Sequence, residues 1–155
     1  MRFILLSLGK KHDPKLTEAI TDFTNRLGRF VPSSWHIIAA KDSGGDSTTL
    51  ITRESELILN TLSKDAFVIL LDKDGHEYST EKLSKQLDTI LSSSYSDVVF
   101  VIGGAYGVNE DVRKRAQLVW SFGKMTYPHQ IMRLLLAEQL YRSMSLRAGL
   151  PYHHE

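Results

Sequence analysis

Two runs in the last third of the chain hold residue types that bind and react with small molecules. They are Gly103-Gly104-Ala105-Tyr106-Gly107 and Ser121-Phe122-Gly123-Lys124-Met125-Thr126-Tyr127-Pro128-His129-Gln130. In the first, glycines let the backbone approach a ligand and offer it main-chain N–H and C=O groups. A phosphate site of the strand–turn–helix kind needs more than that. No Walker lysine follows Gly107, and the spacing is not Gly-x-Gly-x-x-Gly. Glu110 and Asp111 also fall in the first turn of the next helix, where an anion would sit. The turn suits an uncharged nucleoside better than a phosphate; simple chain reversal stays open as the alternative.

The second run mixes hydroxyl, aromatic, cationic and apolar side chains before a helix started by proline. It reads either as the wall of a pocket or as a strand exit whose Met125 and Tyr127 pack inward while Lys124 is solvated. Side chains able to move a proton or stabilise an anion nearby are His129, Arg133, Arg142, His153 and His154. His129 and Arg133 are four apart and share a helix face. So do Glu138 and Arg142, for which an orienting ion pair is expected. The chain has no cysteine, which excludes disulfides, thiolate metal sites and cysteine nucleophiles.

The elements that position these residues alternate in type. Phe3–Leu8, Trp35–Ala40, Ala66–Leu71, Val98–Ile102 and Val119–Phe122 are short apolar runs of strand length. Runs without polar alternation predict strands covered on both faces, hence a parallel sheet between helices. Asp13-Pro14 caps a helix carrying Leu16, Ile20, Phe23 and Leu27, which stops at Gly28. The polar stretch Lys41–Thr48 reads as a loop into a helix with Leu50, Ile51, Leu57, Ile58 and Leu62. Asp72-Lys73-Asp74-Gly75 ends the third strand. Ser79 caps a helix with Leu83, Leu87, Ile90 and Leu91 inward, and Asn109 caps one to about Leu118. Pro128–Arg147 is a helix of about 30 Å. The alternation predicts a three-layer α/β fold, one domain over residues 1–155. Three loops then follow the carboxyl ends of parallel strands, after Leu71, Ile102 and Phe122, where open α/β sheets bind ligands.

At 155 residues the chain can bury a proper core, and 42% hydrophobic with 24% charged residues is ordinary for a soluble globular protein. Its amino-terminal apolar run is too short for a signal peptide, and nothing approaches a membrane span, so a cytoplasmic protein is expected. Charge is divided unevenly. Residues 1–111 hold 12 Lys/Arg against 16 Asp/Glu, and residues 112–155 hold 7 against 2. The basic segment either meets phosphates, through Arg113, Lys114, Arg115 and Arg133, or pairs with acidic surface elsewhere in the fold. A non-catalytic RNA-binding factor would share the basic segment without needing the pocket. A nicotinamide-dependent oxidoreductase would need the glycine fingerprint that is missing.

Leu71-Asp72, Val101-Ile102-Gly103-Gly104-x-x-Gly107, Ser121-Phe122-x-Lys124-Met125-Thr126, Pro128-His129, Met132-Arg133, Glu138-Gln139-x-Tyr141-Arg142 and Tyr152-His153 together resemble the SPOUT methyltransferases. The likeness is strongest to the small bacterial members that methylate N3 of a pseudouridine in 23S ribosomal RNA, and it covers essentially the whole chain. The resemblance implies an α/β fold with a deep carboxyl-terminal trefoil knot, a rare exception to the rule against knots. It further implies a homodimer acting on the ribosome, with no metal. By position, S-adenosylmethionine is expected at Leu71, Gly103, Phe122, Gly123, Lys124, Met125, Thr126 and Tyr127. Arg142 and His153 are expected to position or activate the target base. Gly123 stands where the family often carries serine, and His154 where it usually carries a basic residue.

Overall fold

A computed structural model describes residues 1–39 and 45–152. Its centre is a five-stranded sheet of β1 (Arg2–Leu8), β2 (Ser33–Ile38), β3 (Ala66–Glu77), β4 (Asp97–Ile102) and β5 (Leu118–Ser121), in the order β2-β1-β4-β3-β5. Every strand pairing is parallel. The helices are α1 (Pro14–Leu27), α2 (Ser47–Thr61), α3 (Thr80–Leu91), α4 (Glu110–Arg115) and α5 (His129–Arg147).

The apolar runs are continuous because both faces are covered. Phe3, Leu5, Ile69, Leu71, Val98, Phe100 and Ile102 point to one core, shared with Leu27 of α1, Leu83, Leu87 and Ile90 of α3, and Leu136, Leu140 and Met144 of α5. The alternate residues Leu6, Leu8, Val68, Leu70, Val99 and Val101 point to the other, with Ile58 of α2 and Val112 of α4. Side chains alternate across a strand, so each strand feeds both layers. The steps β1→β2 and β3→β4 run one way along the sheet by way of α1 and α3. The steps β2→β3 and β4→β5 run the other way over the opposite face. Reversing direction and face together keeps all four crossovers of one hand, as twisted parallel sheets require.

Helix starts follow the expected chemistry. Asp13 accepts from the Lys15 amide with Pro14 behind it, Ser79 from Lys82 and Asn109 from Val112; Asp46 does the same for Thr49. Gly28 ends α1 with right-handed φ −58°, so the stop there needs no left-handed residue. The expected loop Lys41–Thr48 is shorter than its residues suggest, since α2 already begins at Ser47. Its part 41–44, and the Ala40 end expected for β2, lie outside the described residues.

Several boundaries differ from expectation by a residue or more, and three of these differences bear on how the sheet pairs. β2 begins at Ser33, two residues early, where Phe3 and Ile4 of β1 already offer partners. α4 ends at Arg115 instead of near Leu118. Ala116 turns extended so that Gln117 can pair with β3, its amide donating to the Val68 carbonyl while its own Oε1 accepts from the Val68 amide.

The third difference matters most. β3 does not stop at Asp72-Lys73-Asp74-Gly75. It bulges between Leu71 and His76 and re-pairs with β5, His76 beside Trp120 and Glu77 beside Ser121. The strand survives its polar stretch because Gly75 lies directly against the β5 backbone. A Cβ on Gly75 would lie 2.6 Å from the Val119 carbonyl oxygen and 2.9 Å from the Trp120 carbonyl carbon. Both are backbone atoms of a paired strand and cannot yield cheaply. Gly75→Ala is therefore expected to destabilise the protein by about 1–3 kcal/mol, the usual range for overpacking, as read by urea denaturation.

Candidate functional site

The carboxyl ends of β3, β4 and β5 open on one cavity of about 490 Å³. Leu71 and the bulge residues Asp72, Lys73 and Asp74 line one side. Ile102 with Gly103–Val108 lines a second, and Trp120, Phe122, Gly123, Met125, Thr126 and Tyr127 a third. His129 and Met132 of α5 complete the wall. This size falls in the range of small-molecule sites, and the mix of apolar side chains with glycine backbone is their usual lining.

Ser121 ties two of these walls together. Its buried hydroxyl lies 3.1 Å from the Lys73 carbonyl and 3.1 Å from the Gly123 carbonyl, and accepts from the Gly123 amide at 3.0 Å. One hydroxyl proton serves two carbonyls, so the β3 bulge and the turn after β5 share a hinge pin. Gly123 has φ +109° and Gly107 +85°, conformations that favour glycine at both turns. The glycine turn after β4 is closed by the Gly107 amide on the Gly104 carbonyl, 3.0 Å. α2 braces it from behind. Ser55 Oγ accepts from the Asn109 amide at 2.9 Å, and the Glu54 carboxylate occupies the place a Gly104 side chain would need. Burial pushes the Glu54 carboxyl upward from its ordinary range. Nothing in the spacing of α2 marked Glu54 or Ser55 as supports of the site.

Seven of the eight expected cofactor residues, Leu71, Gly103, Phe122, Gly123, Met125, Thr126 and Tyr127, meet on this cavity. Lys124 does not. Its ammonium bonds the Lys73 carbonyl at 3.2 Å and approaches Asp74 at 3.8 Å, pinning the turn from outside. Met125 is 73% exposed and Tyr106 61%, both at the rim, so Met125 does not pack inward as the strand-exit reading required. At the same rim Arg113 pairs with Asp72 at 2.7 Å.

Arg142 lies elsewhere on α5. Its Nε donates to Glu138 Oε1 at 2.9 Å, the expected ion pair, and its guanidinium stands 4.9 Å from the centroid of the Tyr152 ring. The Tyr152 hydroxyl reaches the same carboxylate at 3.3 Å. Burial, then the Glu138 charge, holds the Tyr152 phenol above its ordinary pKa. His153 and His154 lie outside the described residues.

The basic segment is largely paired within the fold. Arg113 meets Asp72, Arg147 meets Asp88 and Arg142 meets Glu138. Arg115 binds the carbonyls of Ser63 and Ala66. Arg133, expected to contact phosphate, is 1% exposed and cannot. It lies inside, between α5 and the end of β1. Two histidines flank it: burial first, and the Arg133 charge second, hold both His12 and His129 below the ordinary imidazole pKa. Unfolded, both bind protons more readily than in the native state, so stability should fall as pH drops below about 6.5. Thermal melts between pH 8 and 5 check this, and the decline should be shallower in His12→Gln.

Comparison with known proteins closes on one family. A family model described as "Predicted SPOUT methyltransferase" matches residues 1–153. The chain is 37% identical over 158 residues to the ribosomal RNA large subunit methyltransferase H of Streptococcus mutans, covering 99% of each chain. It is equally similar, 37% over 158 residues and 99% of each, to the protein of that name from Leuconostoc mesenteroides. Among solved structures, the tRNA (m1G37) methyltransferase of Aquifex aeolicus superposes with TM-score 0.54 at 13% identity, over 99% of this chain and 74% of that one. At that identity the likeness shows the fold alone.

Proposed function

The chain belongs to the SPOUT methyltransferase family, and from that membership we propose that it methylates N3 of a pseudouridine in 23S ribosomal RNA, using S-adenosylmethionine. The observation that carries the reading is the convergence of Leu71, Gly103, Phe122, Gly123, Met125, Thr126 and Tyr127 on one cavity at the strand ends. Their lining suits the group. Leu71, Ile102, Trp120, Phe122 and Met132 offer apolar surface for an adenine, and the Gly103–Gly104 backbone can approach its edge. The ion pair Asp72–Arg113 at the rim can meet the amino and carboxylate ends of an amino acid. The names of the relatives support ribosomal RNA as the substrate class.

When bound, the cofactor supplies an activated methyl group on a sulfonium, and its in-line transfer to nitrogen requires no covalent catalyst. The protein's task is placement of the acceptor and care of its charge. Forming the N3–methyl bond would break the S–methyl bond, leaving the sulfur as a neutral thioether, and the N3 proton would pass to solvent water; negative charge would develop on the ring where that proton departs first. Arg142 is suited to stabilise that charge, since Glu138 and Tyr152 hold its planar fork in place. His153, next to Tyr152, is its expected companion. The His129 imidazole stands on the cavity wall, where burial, and after it the Arg133 charge, disfavours its protonated form.

His129 and Arg142 are 13 residues apart on one helix, about 20 Å along its axis at 1.5 Å per residue. Arg142 is not on the cavity wall of its own subunit. A homodimer resolves this: the cavity of one copy would face Arg142 and His153 of the other. α5 has surface to spare for such a seam. Leu140 and Met144 are in the core, whereas Ile131 is exposed and Leu134 and Leu135 are half-buried. The family reading also places the loops after β4 and β5 within a trefoil knot, and the protein in the cytoplasm.

Calorimetry should detect S-adenosylmethionine binding to the isolated protein; no binding overturns the reading. Arg142→Ala should lower single-turnover methylation of large ribosomal subunits by about 100-fold or more, the scale of losing a charge-stabilising group, with cofactor affinity unchanged. Ordinary turnover in that variant removes Arg142 from the mechanism. Mapping the methylated nucleotide in the product RNA decides the target atom.

A further inference from the structure

We propose that the β1–α1 turn, Gly9–His12, is a phosphate-contacting edge of the RNA interface, held in shape by the buried guanidinium of Arg133. The inference rests on the ribosomal RNA reading above and adds to it the surface that grips the backbone.

Arg133 is the largest fully buried side chain in the molecule's described part, and no carboxylate is among its partners. Its Nε donates to Ser7 Oγ at 3.0 Å, and its two terminal nitrogens reach the carbonyls of Lys10 at 2.9 Å and Leu8 at 3.0 Å. Gln130 Oε1 and His12 Nδ1 lie further off, each at 3.4 Å. Taking a cation out of water without a counterion costs several kcal/mol, and neutral acceptors offset only part of that. A methionine or leucine would join α5 to β1 more cheaply. The planar guanidinium fork here draws two main-chain carbonyls and the Ser7 hydroxyl inward at once.

The consequence appears on the outer side of the turn. Gln130 adds to the clamp, donating to the Lys11 carbonyl at 3.2 Å and accepting from the Asp13 amide at 2.9 Å. With carbonyls 8, 10 and 11 all turned toward α5 and Gly9 at φ +110°, the side chains of Lys10 and Lys11 stand in solvent. Neither ammonium pairs with a carboxylate among the described residues. Lys15, one turn into α1, is exposed too, and the first turn of that helix has no acidic residue. Asp13 spends one carboxylate oxygen on the Lys15 amide. The cations of the basic carboxyl segment are by contrast mostly engaged within the fold, as the pairs of Arg113, Arg142 and Arg147 show.

The turn also lies in the right place. Gln130, which holds it, directly follows His129, which lines the cavity. An RNA strand with phosphates on Lys10 and Lys11 would pass beside the cavity mouth. The buried Arg133 charge adds a fixed positive potential beneath the same turn.

The test is the salt dependence of binding to purified large ribosomal subunits, comparing the full-length protein with Lys10→Gln/Lys11→Gln. Losing two phosphate contacts should flatten the slope of log affinity against log salt by about 1.4–1.8 and raise the KM for subunits. The cofactor affinity should stay as it is. A control, Lys85→Gln on the exposed face of α3, should keep the wild-type slope. An unchanged slope in the double variant, a matching change in the control, or weakened cofactor binding in the double variant would overturn the proposal. Failure of the broader reading looks different: the wild-type protein itself would then transfer no methyl group to any subunit RNA.

Discussion

Everything at the site depends on β3 staying alongside β5 beyond Leu71. In an ordinary doubly wound sheet a strand ends at its last core residue, and the loop beyond it is free to wander. Here β3 bulges after Leu71 and pairs again at His76 and Glu77. The polar stretch between is thereby stretched along β5 instead of looping into solvent. Gly75 is the residue that permits this close approach, because the space of its missing side chain is filled by the β5 backbone. Ser121 then fastens the bulge to the turn after β5 through Lys73 and Gly123. A cavity bounded by three loops acquires fixed walls because two of those loops are bonded to each other. Preorganised walls spare a ligand the entropic cost of ordering them.

A second constraint works from the other side of the sheet. Arg133 holds the end of β1 to α5 by neutral acceptors alone, whereas Arg2, Arg26, Arg113, Arg142 and Arg147 each face a carboxylate. Burial lowers its own pKa as well as those of His12 and His129. The protein keeps a costly charge at a place where any anion on the surface of the β1–α1 turn would feel it. A hydrophobic anchor would serve stability better, so the guanidinium is best understood by what it does to the turn and to the field around it.

The sequence was most informative where residue type and periodicity agree. Continuous apolar runs at Ala66–Leu71 and Val98–Ile102 announced a sheet covered on both faces, and the two cores follow from their alternation. Asp13, Ser79 and Asn109 marked helix starts because a capping side chain acts within three residues of itself. What stayed hidden is long-range. The second half of β3 reads as a turn because Asp-Lys-Asp-Gly is turn chemistry, and only a strand 44 residues later, His76 to Trp120, makes it pair. The end of α4 depends on Gln117 reaching Val68. Arg133 sits on a helix, where a basic residue normally means the solvent face; only the carbonyls of the β1 turn explain its burial. Lys124, inside a run that otherwise lines the cavity, points away because Lys73 and Asp74 lie behind it.

α5 brings these constraints together, because one rigid rod meets both. Its first turn presents His129 to the cavity and Gln130 and Arg133 to the β1–α1 turn. Its middle packs Leu136, Leu140 and Met144 into the core between α1 and α3. Its last turns carry Arg142 in a fork fixed by Glu138 and Tyr152. A helix cannot bend its carboxyl end back about 20 Å to its own amino end. The cavity wall at His129 and the Glu138–Arg142–Tyr152 cluster therefore stay at separate places along one rod. The exposed Ile131 with its half-buried neighbours Leu134 and Leu135 is the apolar surface that this rod leaves outside the core.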